Sequence, residues 1–193
     1  PVTRAASIIS TLLHPMMVAP ITFGLLIYTG TSIPKNPHLT FFIAFFFSTL
    51  LAIATVIYLK KQGIVSDVDV SIREQRVQPL VYGTIYCGVG FLLLKYLNAL
   101  PLVQGLMFCY AINTAIVWFI TREWKISIHA IGLSGPLVAL WLHGFHYPII
   151  MGITLVLICV SRVILKAHTP AQVIVGSGLG MSLAYFELTI LFL

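Results

Sequence analysis

Charge is what this sequence has least of. Only 8% of its 193 residues are Asp, Glu, Lys or Arg, and only five are acidic. A soluble fold of this size could not cover its exterior with so little polar surface, so a soluble globular domain is excluded. Cysteine is nearly as scarce. Cys87, Cys109 and Cys159 fall inside apolar runs, at none of the spacings that bind zinc, and their odd number supports no disulfide framework; they read as small core residues. No period-2 alternation persists along any run, which argues against a membrane barrel. No internal repeat is visible, which argues against a transporter with a site at the membrane midplane. Asp67 and Asp69 form a single D-x-D without a second acidic motif, too little for a diphosphate–magnesium site.

What the chain has in abundance is uninterrupted hydrophobic sequence. Hydrophobic residues make up 59% of it and the mean hydropathy is +1.02. Residues 8–29, 39–59, 80–94, 100–120 and 147–161 contain no Asp, Glu, Lys or Arg, and most of these runs are long enough to span a bilayer. Apolar runs punctuated by Gly and Pro can pair their own backbone groups in lipid only as helices. The expected fold is therefore all-α, one integral membrane domain over residues 1–193, a transmembrane bundle of six or seven spans. Length and flanking polar residues place them at Ile8–Thr29, Leu39–Tyr58, Leu80–Tyr96, Pro101–Ile120, Ile128–Leu142, Tyr147–Leu165 and Val173–Leu193. The fifth is short. The first lacks a basic leader and a small-residue cleavage site and reads as a span.

The net charge of +6 is distributed by topology rather than by a nucleic-acid face. If each span crosses once, the N-terminus and the loops near 60–79, 121–127 and 162–172 share one side. That side carries Arg4, Lys60, Lys61, Arg73, Arg76, Arg122, Lys125, Arg162 and Lys166, against Lys35 and Lys95 near the other. Either the positive-inside rule or an anionic ligand would gather cations in this way. No nucleic-acid partner is expected.

Three polar islands lie on that side, at about 66–79, 124–129 and 161–172. Ionisable residues at span ends cost free energy to hold near lipid, so they suggest a site. Arginines and two histidines suit phosphate transfer. A transferring phosphoryl group spreads charge over three oxygens that guanidiniums can hold in pairs, and histidine can act as nucleophile or as acid near neutral pH. Taken singly, Arg73, Arg76, Arg162 and Lys166 read as headgroup anchors; beside two histidines they read as a phosphate site. His14, His38, His143 and His146 lie off this face or outside any motif and read as structural. Glu187, inside the last run, reads as a paired carboxylate.

The islands resemble the three motifs of the type-2 phosphatidic acid phosphatase superfamily, which includes vanadium haloperoxidases. Ser161-Arg162, five residues, then His168 reproduces its S-R-x5-H. Ser127-Ile128-His129 matches the end of P-S-G-H, with Ile126 and Ile128 in place of proline and glycine. Arg76 matches the arginine of K-x6-R-P. The resemblance implies a lipid-phosphate phosphatase or phosphotransferase needing neither cofactor nor metal. In it His168 attacks phosphorus, His129 protonates the leaving group, and Arg162, Ser127 and Arg76 bind phosphate. A site among membrane helices favours phosphatidate, phosphatidylglycerol phosphate or a polyprenyl phosphate or diphosphate as substrate, and the expected location is a bacterial inner membrane, with the side that the site faces left open.

The chain departs from the pattern at three places. Asp69 occupies the position of the first-motif lysine, leaving Arg73 or Lys125 as the expected source of that charge, and proline comes late, at Pro79. Gln172 replaces the aspartate that orients the nucleophilic histidine; it can accept a hydrogen bond but adds no charge. Thr169-Pro170-Ala171-Gln172 also has the form of a capping box opening the last helix. The alternative implied by Asp69 and Gln172 is a non-catalytic relative that binds or carries an anionic lipid.

Overall fold

The computed structural model describes residues 1–30 and 34–193. Helices occur at every one of the expected positions, and there is no strand among the described residues. The N-terminal run is broken. Helix α1 spans Val2–Leu12 and α2 spans Pro15–Tyr28, bent by 43° at His14, so the expected continuous span from Ile8 does not form. The cause is local: Pro15, which has no N–H to give, sits at the first position of α2, and the His14 Nδ1 accepts the Met16 N–H at 3.1 Å as the N-cap of α2.

Helix α3 (Pro37–Phe45) passes through a π-helical turn, Phe46–Leu50, into α4 (Leu51–Lys61), forming one 25-residue rod. A 3-10 turn at Arg73–Arg76 leads into α5 (Val77–Tyr96), followed by α6 (Pro101–Glu123), α7 (Ile128–His143), α8 (Pro148–Ile164) and α9 (Pro170–Leu191). Four helical segments are long and apolar enough to cross a membrane, namely Pro37–Lys61, Arg73–Tyr96, Pro101–Glu123 and Pro170–Leu191. The bent α1–α2 pair makes a fifth if it counts as one span. Helices α7 and α8, at 16 and 17 residues, are shorter than a straight bilayer crossing of about 20.

The interior is sealed by Phe23, Leu26, Leu94, Leu106, Met107 and Leu188, none of which is exposed. The exterior is also apolar: Phe42, Leu92, Ile149, Phe186 and Ile190 are all more than half exposed. An apolar surface of this extent suits lipid better than water and is compatible with a membrane protein. Two helix contacts position the polar end. Helix α7 lies against α9, where a Cβ at Gly176 would stand 3.1 Å from the Ser127 carbonyl and one at Gly180 3.0 Å from the Ile131 backbone. Helix α2 meets α7 where a Cβ at Gly132 would stand 2.7 Å from Pro15, which sets His14 beside His129 one turn earlier.

Candidate functional site

The three polar islands meet at one end of the bundle, and each pair is joined by hydrogen bonds. Arg76, almost fully buried, donates from Nε to the Val70 carbonyl (2.8 Å) and from Nη1 to that of Ile126 (3.1 Å), joining the first island to the second. The Ser127 N–H donates to the Gln172 carbonyl at 3.4 Å, joining the second to the third. Arg162 Nη1 donates to Asp69 Oδ2 at 3.1 Å, closing the triangle. Val70 adopts a left-handed backbone (φ 47°), a strained state for a β-branched residue, held here by the Arg76 bond and by its own N–H donating to the Asp67 carbonyl.

His168 follows α8 and precedes α9, and its tautomer can be derived. The Thr169 N–H donates to Gln172 Oε1 at 3.1 Å, and since a backbone N–H can only donate, that atom is the amide oxygen. His168 Nδ1, 3.1 Å from the same oxygen, must then carry the proton and donate. The lone pair falls on Nε2, which is buried and has no partner. Gln172 therefore both completes the capping box with Thr169 and orients the imidazole. Burial, and then the charges of Arg76, Lys125 and Arg162, hold His168 down to about 4 against a smaller opposing effect of the Gln172 bond. It is neutral at neutral pH.

The other expected residues divide into those around the histidines and those turned away. His129, at the first turn of α7, is 5% exposed and its Nε2 also lacks a partner. Ser127 is wholly buried and its Oγ accepts from the Ala130 N–H, so it serves as the N-cap of α7. Arg162, 3% exposed, gives Nη1 to both Ser10 Oγ (2.8 Å) and Asp69, while its Nε is buried without a partner. Lys125 is half-buried, and burial followed by Arg76 and Arg162 pushes its ammonium down from the usual lysine value. Arg73 turns outward, pairing with Glu74 at 3.0 Å and donating to the Arg122 carbonyl at 2.8 Å. Of the two expected substitutes for the missing lysine, Lys125 is the one whose charge reaches His168.

His14 belongs here too, although its sequence context marked it as structural. Its ring packs edge-on against His129 with centroids 4.7 Å apart, and its Nε2 lies 3.8 Å from Asp69 Oδ1. The signal in the sequence was His-Pro within an otherwise charge-free run, which marks a helix break. Donor atoms of His14, Asp69 and His129 lie within 4.8 Å of one another, close enough to bracket a cation. Two features oppose one. His14 Nδ1 already accepts a backbone N–H, so the proton of the neutral ring sits on Nε2, facing Asp69; and Arg162 already neutralises the carboxylate.

His14, Asp69, Arg76 and His129 also line a cavity of about 210 Å3. Its walls are largely apolar, with Val56, Leu80, Leu106, Val117 and Ile131 among them. Among the described residues, neither His168 nor Arg162 lines it. The arrangement places one guanidinium and two imidazoles on the wall of a largely apolar cavity, which suits an amphiphile with an anionic head. Comparison with family models, with curated proteins and with solved structures gives no match.

Proposed function

We propose that this chain is a membrane-embedded lipid-phosphate phosphatase or phosphotransferase that crosses the bilayer six or seven times, in a bacterial inner membrane. The observation that carries the proposal is the pairing of two buried histidines, each with a free Nε2, with Arg76, Arg162 and Lys125 beside a largely apolar cavity. The His168 Nε2 lone pair attacks phosphorus while the bond to the lipid oxygen breaks, and His129, having taken up the proton of the bound phosphate monoanion, passes it to that oxygen. Water, deprotonated by His129, then attacks the phosphohistidine, breaking the P–N bond and releasing phosphate. The cations stabilise the charge on the equatorial oxygens throughout. Resemblance to the three phosphatase motifs supports the same roles, and the apolar cavity supports an acyl or isoprenyl chain on the substrate.

The test is phosphate release by detergent-solubilised protein from phosphatidate, phosphatidylglycerol phosphate and polyprenyl phosphates. Release is expected to persist in chelator. On the His168 limb it is expected to stay flat from about pH 8 to 5 and to fall as pH drops through about 4. The sign follows from the depressed value: the free imidazole protonates near 6.5, the folded one only near 4, so acid removes both nucleophile and native stability across that window. No release from any of these lipids would sink the phosphatase reading.

The Asp69–Arg162 pair favours a second reading, an anionic-lipid binder, because a carboxylate already occupies the guanidinium that a phosphate needs. Asp69→Asn separates the two. It leaves Arg162 as a buried charge without its counter-ion, so the protein alone should melt several degrees lower. Inorganic phosphate should then bind about tenfold tighter and restore the melting temperature. Faster turnover by this variant supports the enzyme; tighter binding with no turnover supports the binder.

A further inference from the structure

The cavity reaches a second polar cluster that the phosphate chemistry does not use. Asn113 of α6 donates from Nδ2 to Glu187 Oε2 of α9 at 3.2 Å. With Glu187 ionised, that bond fixes the amide orientation, since the reverse would set the amide oxygen against a carboxylate. The Asn113 Oδ1 is then left buried with no partner, on a residue only 7% exposed. One turn away on the same helix, the Tyr110 hydroxyl is likewise buried and unpartnered. Both residues line the cavity. An unsatisfied buried polar group costs about 1–3 kcal/mol, and two on one helix face of one cavity call for a shared partner.

The chemistry of that partner follows from the two atoms. Asn113 Oδ1 accepts only, so the partner must donate; Tyr110 can donate in return, so the partner can also accept. An ester carbonyl meets one requirement, a hydroxyl both. Depth fixes where the hydroxyl sits. The Arg122 carbonyl, which receives Arg73, marks the polar end of α6, and Asn113 lies nine residues deeper, roughly 13 Å along the helix axis.

We propose that Asn113 and Tyr110 form a binding site for a neutral hydroxyl carried partway along the hydrocarbon chain of the lipid that fills the cavity. The site shares that cavity with the phosphate reading but rests on different residues, so either can fail alone. Four probes separate them in binding to the full-length protein in nanodiscs: octadecylphosphonate, 10-hydroxyoctadecylphosphonate, octadecanol and 10-hydroxyoctadecanol.

The mid-chain hydroxyl is expected to tighten binding about tenfold within each pair. Tyr110→Phe, which removes only an unpartnered hydroxyl and should not weaken the unliganded fold, is expected to cut that preference to about threefold. Asn113→Leu should abolish it. Equal affinity within both pairs, or a preference unchanged in Tyr110→Phe, would overturn the site and assign the orphan atoms to bound water. Loss of the phosphonate preference with the hydroxyl preference intact would overturn the phosphate reading alone.

Discussion

Replacing His168 with alanine is expected to reduce lipid-phosphate turnover by at least about a thousandfold, the scale seen when a nucleophile acting in concert with its partners is removed. The substitution is a clean one. The ring's Nδ1 bond to Gln172 is lost, but Gln172 Oε1 keeps the Thr169 N–H, so the cap of α9 survives, and Nε2 has no partner to lose. The folded state should therefore persist, with a modest loss of stability from the cavity left behind. A radiolabelled phosphoenzyme trapped by rapid quenching should form in the parent and be absent from His168→Ala. Turnover retained by the variant would remove His168 from the mechanism, and a phosphoenzyme retained by it would place the covalent bond on another residue.

Restoring a carboxylate at position 172 should act in the opposite direction. Gln172 already orients the His168 ring through Nδ1, but on the proposed mechanism it would do nothing for the positive charge that the ring would acquire on attacking phosphorus. Gln172→Glu keeps the reach of the side chain, and Gln172→Asp follows the motif that the sequence resembles. A carboxylate at this distance should raise turnover by about a hundredfold or more, judged by what loss of a charged orienter costs elsewhere. The same charge opposes the Arg76, Lys125 and Arg162 influences that hold His168 near 4, so the acid limb of the pH profile should move up by about one to three pH units. A moved limb without a gain in rate would mean that charge at this position is felt but is not limiting. No release from either form would favour the lipid-binding reading.

Much of this arrangement was legible in the sequence because the membrane makes charge expensive. In a chain with so few ionisable residues, Arg76, Lys125, Arg162 and His168 stand out, and alternating spans bring their loops to one side. The helix positions were legible for the same reason. The span count was harder to read. A charge-free run at residues 8–29 hides the break at His14–Pro15, and the runs that became α7 and α8 fall short of a straight crossing.

The Asp69–Arg162 pair was illegible for a different reason. Its partners are 93 positions apart, and spacing alone marked Asp69 only as a missing lysine. His14 escaped because its partners, Asp69 and His129, come from two distant segments, and only the packing of Pro15 on Gly132 sets it beside His129. Gln172 illustrates overlap: one amide oxygen serves the helix cap and the histidine at once, so neither pattern excluded the other.

The glycines at 176 and 180 act as the gauge of the site. They let α9 lie against the backbone of α7 at the turn that begins with Ser127 and His129, while His168 hangs from the start of α9. The separation of the His129 and His168 imidazoles is thus set by how closely two helices touch, at backbone two residues to either side of His129. A single methyl group at Gly176 would press on the Ser127 carbonyl and spread that separation by a few tenths of an ångström without altering any charge, and phosphoryl transfer is sensitive to displacements of this kind. On the proposed mechanism, the tolerance of the chemistry is therefore written into a helix contact rather than into the polar residues themselves.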